Sequence, residues 1–285
     1  MSNSNYSNNW TTVIQPVSGW FDIHLAELWR YRDLIMLFVR RDFVAVYKQT
    51  ILGPLWFLLQ PLLMTIIFTI IFGKVAKIPT DGLPHMLFYM CGIVAWRYFS
   101  DCLTKTSNTF IGNVHIFGKV WFPRLTVPVS IVISSLITFF IQLLLFLGFW
   151  VFYYMKGANI SVQPSIVFLP LIIIQMASLG LGLGIIVSSL TTKYRDFTYL
   201  VTFGVQLWMY ATPIIYPISQ IPQKWQWLIA INPMAPIIET FRYSFLGTGT
   251  VYPWQIGLSI ATTVVILIFG IILFSRIEKS FMDTV

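Results

Sequence analysis

Long uninterrupted apolar segments restrict the fold of this 285-residue sequence more than any other feature. A helix that crosses the hydrocarbon layer of a bilayer, roughly 30 Å thick, needs about 20 apolar residues. Six such segments occur: Leu52–Gly73, Pro84–Leu103, Leu125–Tyr154, Ser165–Thr191, Phe197–Tyr216 and Trp254–Phe274. Charged residues make up 10% of the chain, against about 25% in soluble proteins. The sequence therefore predicts an all-α membrane protein with six transmembrane helices.

Basic residues are divided unequally between the two sides that six spans define. An even number of spans places both termini on one side of the membrane. Twelve Lys and Arg residues lie on that side: Arg30, Arg32, Arg40, Arg41, Lys48, Lys105, Lys119, Arg124, Lys193, Arg195, Arg276 and Lys279. Five lie on the other side: Lys74, Lys77, Lys156, Lys224 and Arg242. Because cytoplasmic loops are enriched in Lys and Arg, we expect both termini in the cytoplasm.

Residues 1–50 are expected to form a cytoplasmic unit, followed by a transmembrane domain over residues 51–285. Between Leu25 and Tyr47, apolar residues recur every three or four positions and charged residues lie between them. This pattern predicts an amphipathic helix that lies on the cytoplasmic membrane surface, or packs on a partner protein, or does both. The preceding residues, to Gly19, lack the apolar stretch of a signal peptide, so we expect a polar tail and no cleaved leader.

The segment from Pro217 to Pro253, between the last two spans, is too long for a bare connection. It divides at the dipeptide Asn232-Pro233 into two short apolar pieces. We expect two helices, Pro222–Ile231 and Pro236–Leu246, that lie at the outer membrane interface or dip into it.

The sequence is poor in the residues of catalytic and metal sites. Its three histidines fall in different segments: His24, His85 and His115. A phosphate-binding loop would need a hydroxyl residue after Gly-Lys, but Val120 follows Gly118-Lys119. We therefore expect no catalytic, cofactor or metal site in this chain. A membrane-embedded glycan-processing enzyme stays an alternative, although its acid or nucleophile cannot be identified.

One predicted span contains two opposite charges. Arg97 and Asp101 are four residues apart, so we expect them to pair on one face of the second helix. Two interpretations stay open: a functional charge, such as an ion relay or a polar pore wall, and a self-satisfied pair near the cytoplasmic surface.

Small residues and prolines in the spans predict close helix packing or kinks. The small residues alternate in one span: Gly180, Gly182 and Gly184. The prolines lie in three different spans: Pro61, Pro170 and Pro213. We favour the packing interpretation over a functional one.

A string at the start of the first span identifies a family. It reads Arg40-Arg41-Asp42, Tyr47-Lys48-Gln49-Thr50, Leu52-Gly53-Pro54, Trp56 and Gln60-Pro61-Leu62. This string resembles the membrane subunits of ABC-type polysaccharide exporters, which include the O-antigen, capsule and teichoic-acid permeases. Weaker matches follow at Trp96, Phe122-Pro123-Arg124, Arg195-Asp196, Thr212-Pro213, Asn232-Pro233 and Arg242, among others. The resemblance covers about Leu28 to Phe274.

The resemblance implies a homodimer in the cell inner membrane, joined to two copies of a separate ATPase subunit that binds ATP and magnesium. The implied substrate is a polysaccharide carried on a polyprenyl pyrophosphate lipid, in a membrane-lipid environment and with no nucleic-acid partner. O-antigen, capsule and teichoic acid are all possible substrates within the family. An exporter of a lipid or drug with the same architecture is a further alternative.

The resemblance also implies roles for particular residues. Contact with the ATPase is expected from the loop after the second span: Lys105, Asn108, Asn113, His115 and Lys119. The pyrophosphate would be attracted by basic residues at the inner rim: Arg40, Arg41, Lys48 and Arg124. Sugar rings would stack on channel aromatics: Trp56, Tyr89, Trp96, Tyr98, Trp208 and Tyr210. The two outer helices would form an external gate containing Trp225, Trp227, Glu239 and Arg242.

Overall fold

The computed structural model describes residues 25–48, 50–192, 194 and 196–284. The expected tail, together with His24, Gln49, Lys193 and Arg195, lies outside the described residues. The helices in the described part are α1 (Leu25–Arg30), α2 (Arg32–Tyr47), α3 (Trp56–Phe68), α4 (His85–Ser107), α5 (Thr109–Gly112), α6 (Val114–Phe117), α7 (Thr126–Met155), α8 (Leu169–Thr191), α9 (Phe197–Tyr210), α10 (Gln226–Ile231), α11 (Met234–Leu246) and α12 (Pro253–Thr284). The described residues contain no strand, so the predicted all-α class is confirmed.

Four helical segments of the described chain are long and apolar enough to cross a bilayer: Gly53–Val75, Thr126–Met155, Pro164–Thr191 and Pro253–Glu278. They coincide with the first, third, fourth and sixth predicted spans. At most 39% of the most apolar window of each segment is buried within the chain. Their remaining apolar surface therefore requires lipid or another subunit, as expected of a multi-pass membrane protein.

The second and fifth predicted spans differ from these four. Helix α4 has 23 residues but includes Arg97, Asp101 and Lys105, and it lies at the centre of the bundle against α3, α7, α8, α9 and α11. Helix α9 has 14 residues and ends at Tyr210 rather than at Tyr216. The count of six spans therefore stays a prediction.

The alternating glycines of α8 let this helix fit between two others. A Cβ atom on Gly184 would lie 2.6 Å from Cβ of Thr106 in α4, and one on Gly182 would lie 3.0 Å from Cα of Leu267 in α12. Both distances are too short for a side chain, so α8 approaches the backbones of α4 and α12 on opposite faces. The packing interpretation of these glycines is confirmed.

Of Pro61, Pro170 and Pro213, only the first lies in the interior of a helix. Pro170 lies at the start of α8, where a backbone N–H would have no partner within the helix, so its absence in proline costs nothing. Pro213 follows the end of α9. Pro61 lies inside α3, and the hydroxyl of Thr65 donates to its carbonyl oxygen at 2.7 Å. Only Pro61 among the three therefore replaces a residue of a helix interior.

The expected amphipathic segment forms two helices, because the chain turns at Tyr31 between α1 and α2. Ile35, Phe38 and Val39 make the buried face of α2, which packs on α7. Met36 and Leu37 are each 60% exposed on other faces of the helix. Helix α2 therefore has apolar side chains available for a second surface, while one face is fixed to the bundle.

Candidate functional site

The loop between α4 and α7 folds into two single helical turns, α5 and α6. Nδ2 of Asn108 donates to the Thr104 carbonyl at 3.3 Å, and Nδ2 of Asn113 donates to the Thr109 carbonyl at 2.9 Å. The other three residues of the predicted ATPase contact are exposed: Lys105, His115 and Lys119. The asparagines thus shape the loop, and the basic residues are accessible to a partner. Contact with an ATPase stays a prediction.

A cluster of buried phenylalanines joins this loop to α2 and α12. We call it the loop aromatic cluster: Phe38, Phe110, Phe117, Phe122 and Phe274. Ring centres of Phe38 and Phe122 are 5.8 Å apart, and those of Phe117 and Phe122 are 5.7 Å apart. Phe110 stacks on Phe274 of α12 at 4.6 Å. Because such pairs add about 0.5–1.5 kcal/mol each beyond area burial, α2, the loop and α12 form one packed unit.

Arg124 holds α12 against the loop. Its Nη1 donates to the backbone carbonyl of Glu278, its backbone N–H donates to Oε1 of Glu278 at 3.3 Å, and its guanidinium lies 5.6 Å from the ring centre of Phe117. Burial lowers the pKa of Arg124, and the Glu278 carboxylate opposes that shift. Sequence reasoning missed Glu278, since 154 positions separate the pair. The predicted contact of Arg124 with a pyrophosphate stays a prediction. In this structure its side chain already contacts Glu278 and Phe117.

The other predicted inner-rim cations are exposed. Arg40 and Lys48 lie on the accessible side of α2 and at its end. Arg41 donates from Nε to Oδ1 of Asp42 at 2.9 Å, and its guanidinium lies 4.8 Å from the ring centre of Phe38. Arg40 and Lys48 are therefore better placed than Arg41 to meet an anionic ligand.

The predicted channel aromatics divide into buried and exposed groups. Three are buried in the core around α4: Tyr89, Trp96 and Tyr98. Trp208 is partly buried, and its ring centre lies 6.0 Å from that of Trp96. Trp56 is 42% exposed and Tyr210 is 46% exposed. In this conformation, only Trp56, Trp208 and Tyr210 have surface that a sugar could contact, and the channel role of all six stays a prediction.

The predicted pair between Arg97 and Asp101 is wrong. Oδ2 of Asp101 accepts from Nζ of Lys105 at 3.0 Å, while Nη2 of Arg97 donates to Oε1 of Gln60 in α3. Lys105 lies the same four residues from Asp101 on the other side, so spacing alone could not choose between the two cations. Gln60 was missed because only the packing of α3 on α4 brings it close.

Asn232 joins the end of α9 to the start of α11. Its Nδ2 donates to Oγ1 of Thr212 at 2.9 Å, and its Oδ1 accepts from Nε1 of Trp208 at 3.1 Å and from the backbone N–H of Met234 at 3.0 Å. One amide group therefore fixes the turn after α9 and the first turn of α11. The sequence indicated only a helix boundary here.

An open cleft of about 410 Å³ lies beside Asn232 at the Tyr210 end of α9. It is lined by Trp208, Ala211, Tyr216, Ile221, Trp225, Leu228, Ile229 and Asn232. The structure thus brings together a predicted channel residue, Trp208, and a predicted gate residue, Trp225. Trp227 is 59% exposed and does not line the cleft. Aromatic faces beside an amide form a surface that can stack on a sugar ring and bond its hydroxyls.

Glu239 and Arg242 form a buried ion pair in α11. Each side chain is 2% exposed, and Nη1 of Arg242 lies 2.6 Å from Oε1 of Glu239. Nη2 donates to the carbonyl of Pro213 at 2.7 Å, and the guanidinium lies 3.9 Å from the ring centre of Phe88. Burial raises the pKa of Glu239, and Arg242 opposes that shift. The pair therefore connects α11 to the end of α9 and to α4, although its role in a gate stays a prediction.

The described residues contain no cluster of three or more His, Cys, Asp or Glu that could hold a metal ion. Cys91 and Cys102 are buried and have free thiols. The expectation that ATP and magnesium bind to another chain stays a prediction on these observations.

Comparison with known proteins places this architecture among transporters. The family model described as ABC-2 type transporter matches residues 33–246, which is most of the chain. The chain is 30% identical over 254 residues to the O-antigen export system permease protein RfbA of Klebsiella pneumoniae, covering 88% of this chain and 94% of that protein.

Two further relatives extend the comparison. The RfbA protein of Myxococcus xanthus, also described as an O-antigen export system permease, is 27% identical over 224 residues, covering 77% of this chain and 82% of its own length. The capsule polysaccharide export inner-membrane protein CtrC of Neisseria meningitidis is 23% identical over 266 residues, covering 90% of this chain and 95% of its own. Each of these matches therefore covers at least 77% of this chain.

Proposed function

This chain belongs to the ABC-2 type transporter family, and we propose that it is the membrane subunit of an ATP-driven exporter of a polysaccharide of the O-antigen kind. The observation that carries this proposal is 30% identity to an O-antigen export permease across 88% of the chain. Identity to a capsule export protein is 23%, so capsule polysaccharide is the second candidate substrate. The chain is a permease subunit rather than an enzyme.

Within this proposal the chain crosses the inner membrane six times and has both termini in the cytoplasm. Helix α4 is long enough to span, at about 34 Å for its 23 residues. The shorter α9 is followed by residues 212–215, which are buried in protein. Non-helical backbone is tolerated at membrane depth where protein encloses it, so this segment can complete the fifth crossing. The larger number of Lys and Arg on the terminal side supports the orientation.

The proposed energy source is a separate ATPase subunit that binds to the loop between α4 and α7. The loop aromatic cluster supports this role, because a shift of the loop would be transmitted directly to α2 and α12. A homodimer with two ATPase copies completes the proposed transporter, on the family resemblance. The apolar surface left exposed on the spans is compatible with lipid and with a second copy of the chain.

The proposed substrate is a polysaccharide on a polyprenyl pyrophosphate carrier. Arg40 and Lys48 offer exposed cations near the inner membrane surface, where a pyrophosphate would first be met. At the outer end, Trp208, Tyr216 and Trp225 line a cleft that suits a sugar ring. Cations at the entrance and aromatic faces at the exit match the two chemical parts of such a substrate.

Two measurements in the native host test the proposal. The tagged chain is solubilised gently, and the proteins that copurify at stoichiometric yield are identified by mass spectrometry. In parallel, the gene is deleted and lipid-linked polysaccharide is quantified inside the cell and at its surface. We expect a copurifying ATPase, loss of the surface polymer, and intracellular accumulation of the lipid-linked form that reverses on complementation.

The two measurements can each contradict the proposal. If the chain purifies without any ATPase, the proposed exporter has no energy source, and the proposal is contradicted. Surface polysaccharide that is unchanged after deletion, with no intracellular accumulation, would show that the chain exports something else.

A further inference from the structure

Helix α4 carries one continuous polar stripe. Of its 23 residues, 16 are buried, and beyond the first turn the remaining ones are all polar. These residues, which we call the polar stripe, are Arg97, Ser100, Asp101, Thr104 and Lys105. Their spacing of three and four places them on one face, from the middle of the helix to its cytoplasmic end. The apolar faces of α4 are thus the covered ones, and the open face is the polar one.

Lipid is an unsuitable neighbour for the polar stripe. Arg97 lies midway along α4, about 18 Å from His85 at 1.5 Å per residue. Ionised side chains at such depth face the interior of a bundle or a water-filled cavity, and they mark substrate pathways. Because α4 crosses the membrane in the proposed function, the stripe requires a polar space beside it.

Arg97 has no acidic partner among the described residues. The nearest carboxylate along the helix, Asp101, is 3.0 Å from Nζ of Lys105. The hydrogen-bond partner of Arg97 is Oε1 of Gln60, which is uncharged, and its Nε is enclosed without a partner in the described part of the chain. No carboxylate of the described residues therefore offsets the charge of the guanidinium, and its planar set of N–H donors matches a carboxylate or a phosphate.

We propose that Arg97 and Gln60 form a binding position for a negatively charged group of the transported substrate, at half the depth of the membrane. The group is a carboxylate or a phosphate, supplied either by acidic sugars of the polymer or by the pyrophosphate of the carrier lipid. Arg97 supplies the charge and paired N–H donors, and Gln60 orients the guanidinium from α3. This inference rests on the proposed function, since it concerns the same substrate.

The test uses this chain in complex with its ATPase, reconstituted in lipid nanodiscs. Equilibrium binding is measured for three radiolabelled probes with the same polyprenyl chain. The first carries a neutral oligosaccharide on an uncharged polyprenol, the second carries it on a polyprenyl pyrophosphate, and the third has a uronic acid in each repeat of the pyrophosphate-linked form. Comparison of the probes separates phosphate recognition from carboxylate recognition.

We expect Arg97→Gln to weaken binding of an anionic probe by about tenfold or more, because a charge-assisted hydrogen-bond pair is lost. Arg97→Lys, which keeps the charge but not the fork, should give an intermediate loss. Loss for both pyrophosphate probes identifies the phosphate, and loss for the uronate probe alone identifies the polymer. The control is Lys156→Gln, an exposed cation after α7, which should leave all three affinities unchanged.

Gln60→Glu separates recognition from a structural role. A carboxylate at position 60 would pair with Arg97 and strengthen the contact between α3 and α4, yet it would neutralise the charge that the ligand needs. We therefore expect a loss of anionic-probe binding like that of Arg97→Gln, with no loss of protein abundance.

Two results would overturn the inference: equal weakening of all three probes in Arg97→Gln, or unchanged binding of anionic probes in Gln60→Glu. Failure of the unmodified complex to bind any probe would instead contradict the proposed function, and the inference with it.

Discussion

Two polar side chains, the half-buried Asn232 and the buried Arg242, hydrogen-bond to the segment that follows the end of α9. Arg242 donates to the Pro213 carbonyl, and Asn232 donates to the Thr212 hydroxyl. Backbone and side-chain polar groups need protein partners wherever water is excluded. Asn232 and Arg242, which follow this irregular segment in the chain, therefore stabilise it, and substitution of either residue would remove hydrogen bonds that hold it.

We predict that the single substitution Glu239→Ala destabilises the folded protein strongly. The substitution leaves the guanidinium of Arg242 buried without its carboxylate, which costs about 3–5 kcal/mol for pairs of this kind. Glu239→Gln should cost less, because an amide oxygen can still accept from Nη1. Thermal unfolding of the purified protein in detergent measures both effects.

The matched control is an exposed pair on α2. Arg32 and Asp33 are 4.0 Å apart, with side chains 64% and 98% exposed. Asp33→Ala should change stability by less than about 1 kcal/mol, since exposed pairs contribute little. Similar losses for Glu239→Ala and Asp33→Ala would contradict the role given to burial.

Helices α8 and α4 approach each other closely, because α8 presents glycine to α4. Cβ atoms on Gly180 and Gly184 would lie 2.9 Å from the carbonyl oxygens of Phe99 and Leu103, respectively. Helices in a membrane gain most of their association energy from such packing. The position of α4, and with it the position of the polar stripe, therefore depends on the small size of these residues.

We predict that Gly184→Ala lowers the unfolding temperature, because the added methyl group forces α8 away from α4. Overpacking of this kind costs about 1–3 kcal/mol. Thermal unfolding in detergent, followed by size-exclusion chromatography of heated samples, measures the change.

Gly148→Ala in α7 provides the comparison, since nothing lies within 4 Å of the position its Cβ would take. Its stability should be unchanged or slightly higher, because alanine favours a helix over glycine. If Gly148→Ala destabilised as much as Gly184→Ala, close packing would not be the cause.

For the whole molecule, the membrane topology determines which surfaces meet the ATPase and which meet the exported polymer. The loop aromatic cluster joins α2, the loop after α4 and the end of α12 into one unit. The aromatic cleft beside Asn232 lies at the opposite end of α9 from the turn at Asp196. The proposed function places these two regions on opposite faces of the membrane, which requires that both α4 and α9 cross it.

We predict on which side of the membrane four exposed positions lie. Each position is replaced in turn by cysteine, and a membrane-impermeant maleimide is added to intact spheroplasts. Lys74→Cys and Lys224→Cys should react in intact cells, whereas His115→Cys and Tyr194→Cys should react only after permeabilisation. Native Cys91 and Cys102 are buried and should react slowly, which keeps the background low.

The four positions flank α4 and α9, the second and fifth predicted spans. Lys74 and His115 lie on either side of α4, and Tyr194 and Lys224 lie on either side of α9. Equal labelling of the two positions around one helix in intact cells would show that this helix does not cross the membrane.

The sequence by itself determined the features that depend on composition and short-range spacing. Apolar length predicted the four long spans, residue size predicted the close packing at Gly182 and Gly184, and periodicity predicted a helical segment before the first span. The family string around Trp56 identified the transporter class. All of these signals lie within one helix or one short segment, so they can be read without knowing which elements meet.

Only the tertiary structure decided which side chains are accessible and how charged residues pair. Tyr89, Trp96 and Tyr98 are buried because neighbouring helices surround α4. Arg97 pairs with Gln60 and Arg124 pairs with Glu278 because of helix packing between residues far apart in the chain. Spacing within a helix permits several partners for one charge, and only the packing of separate helices selects among them.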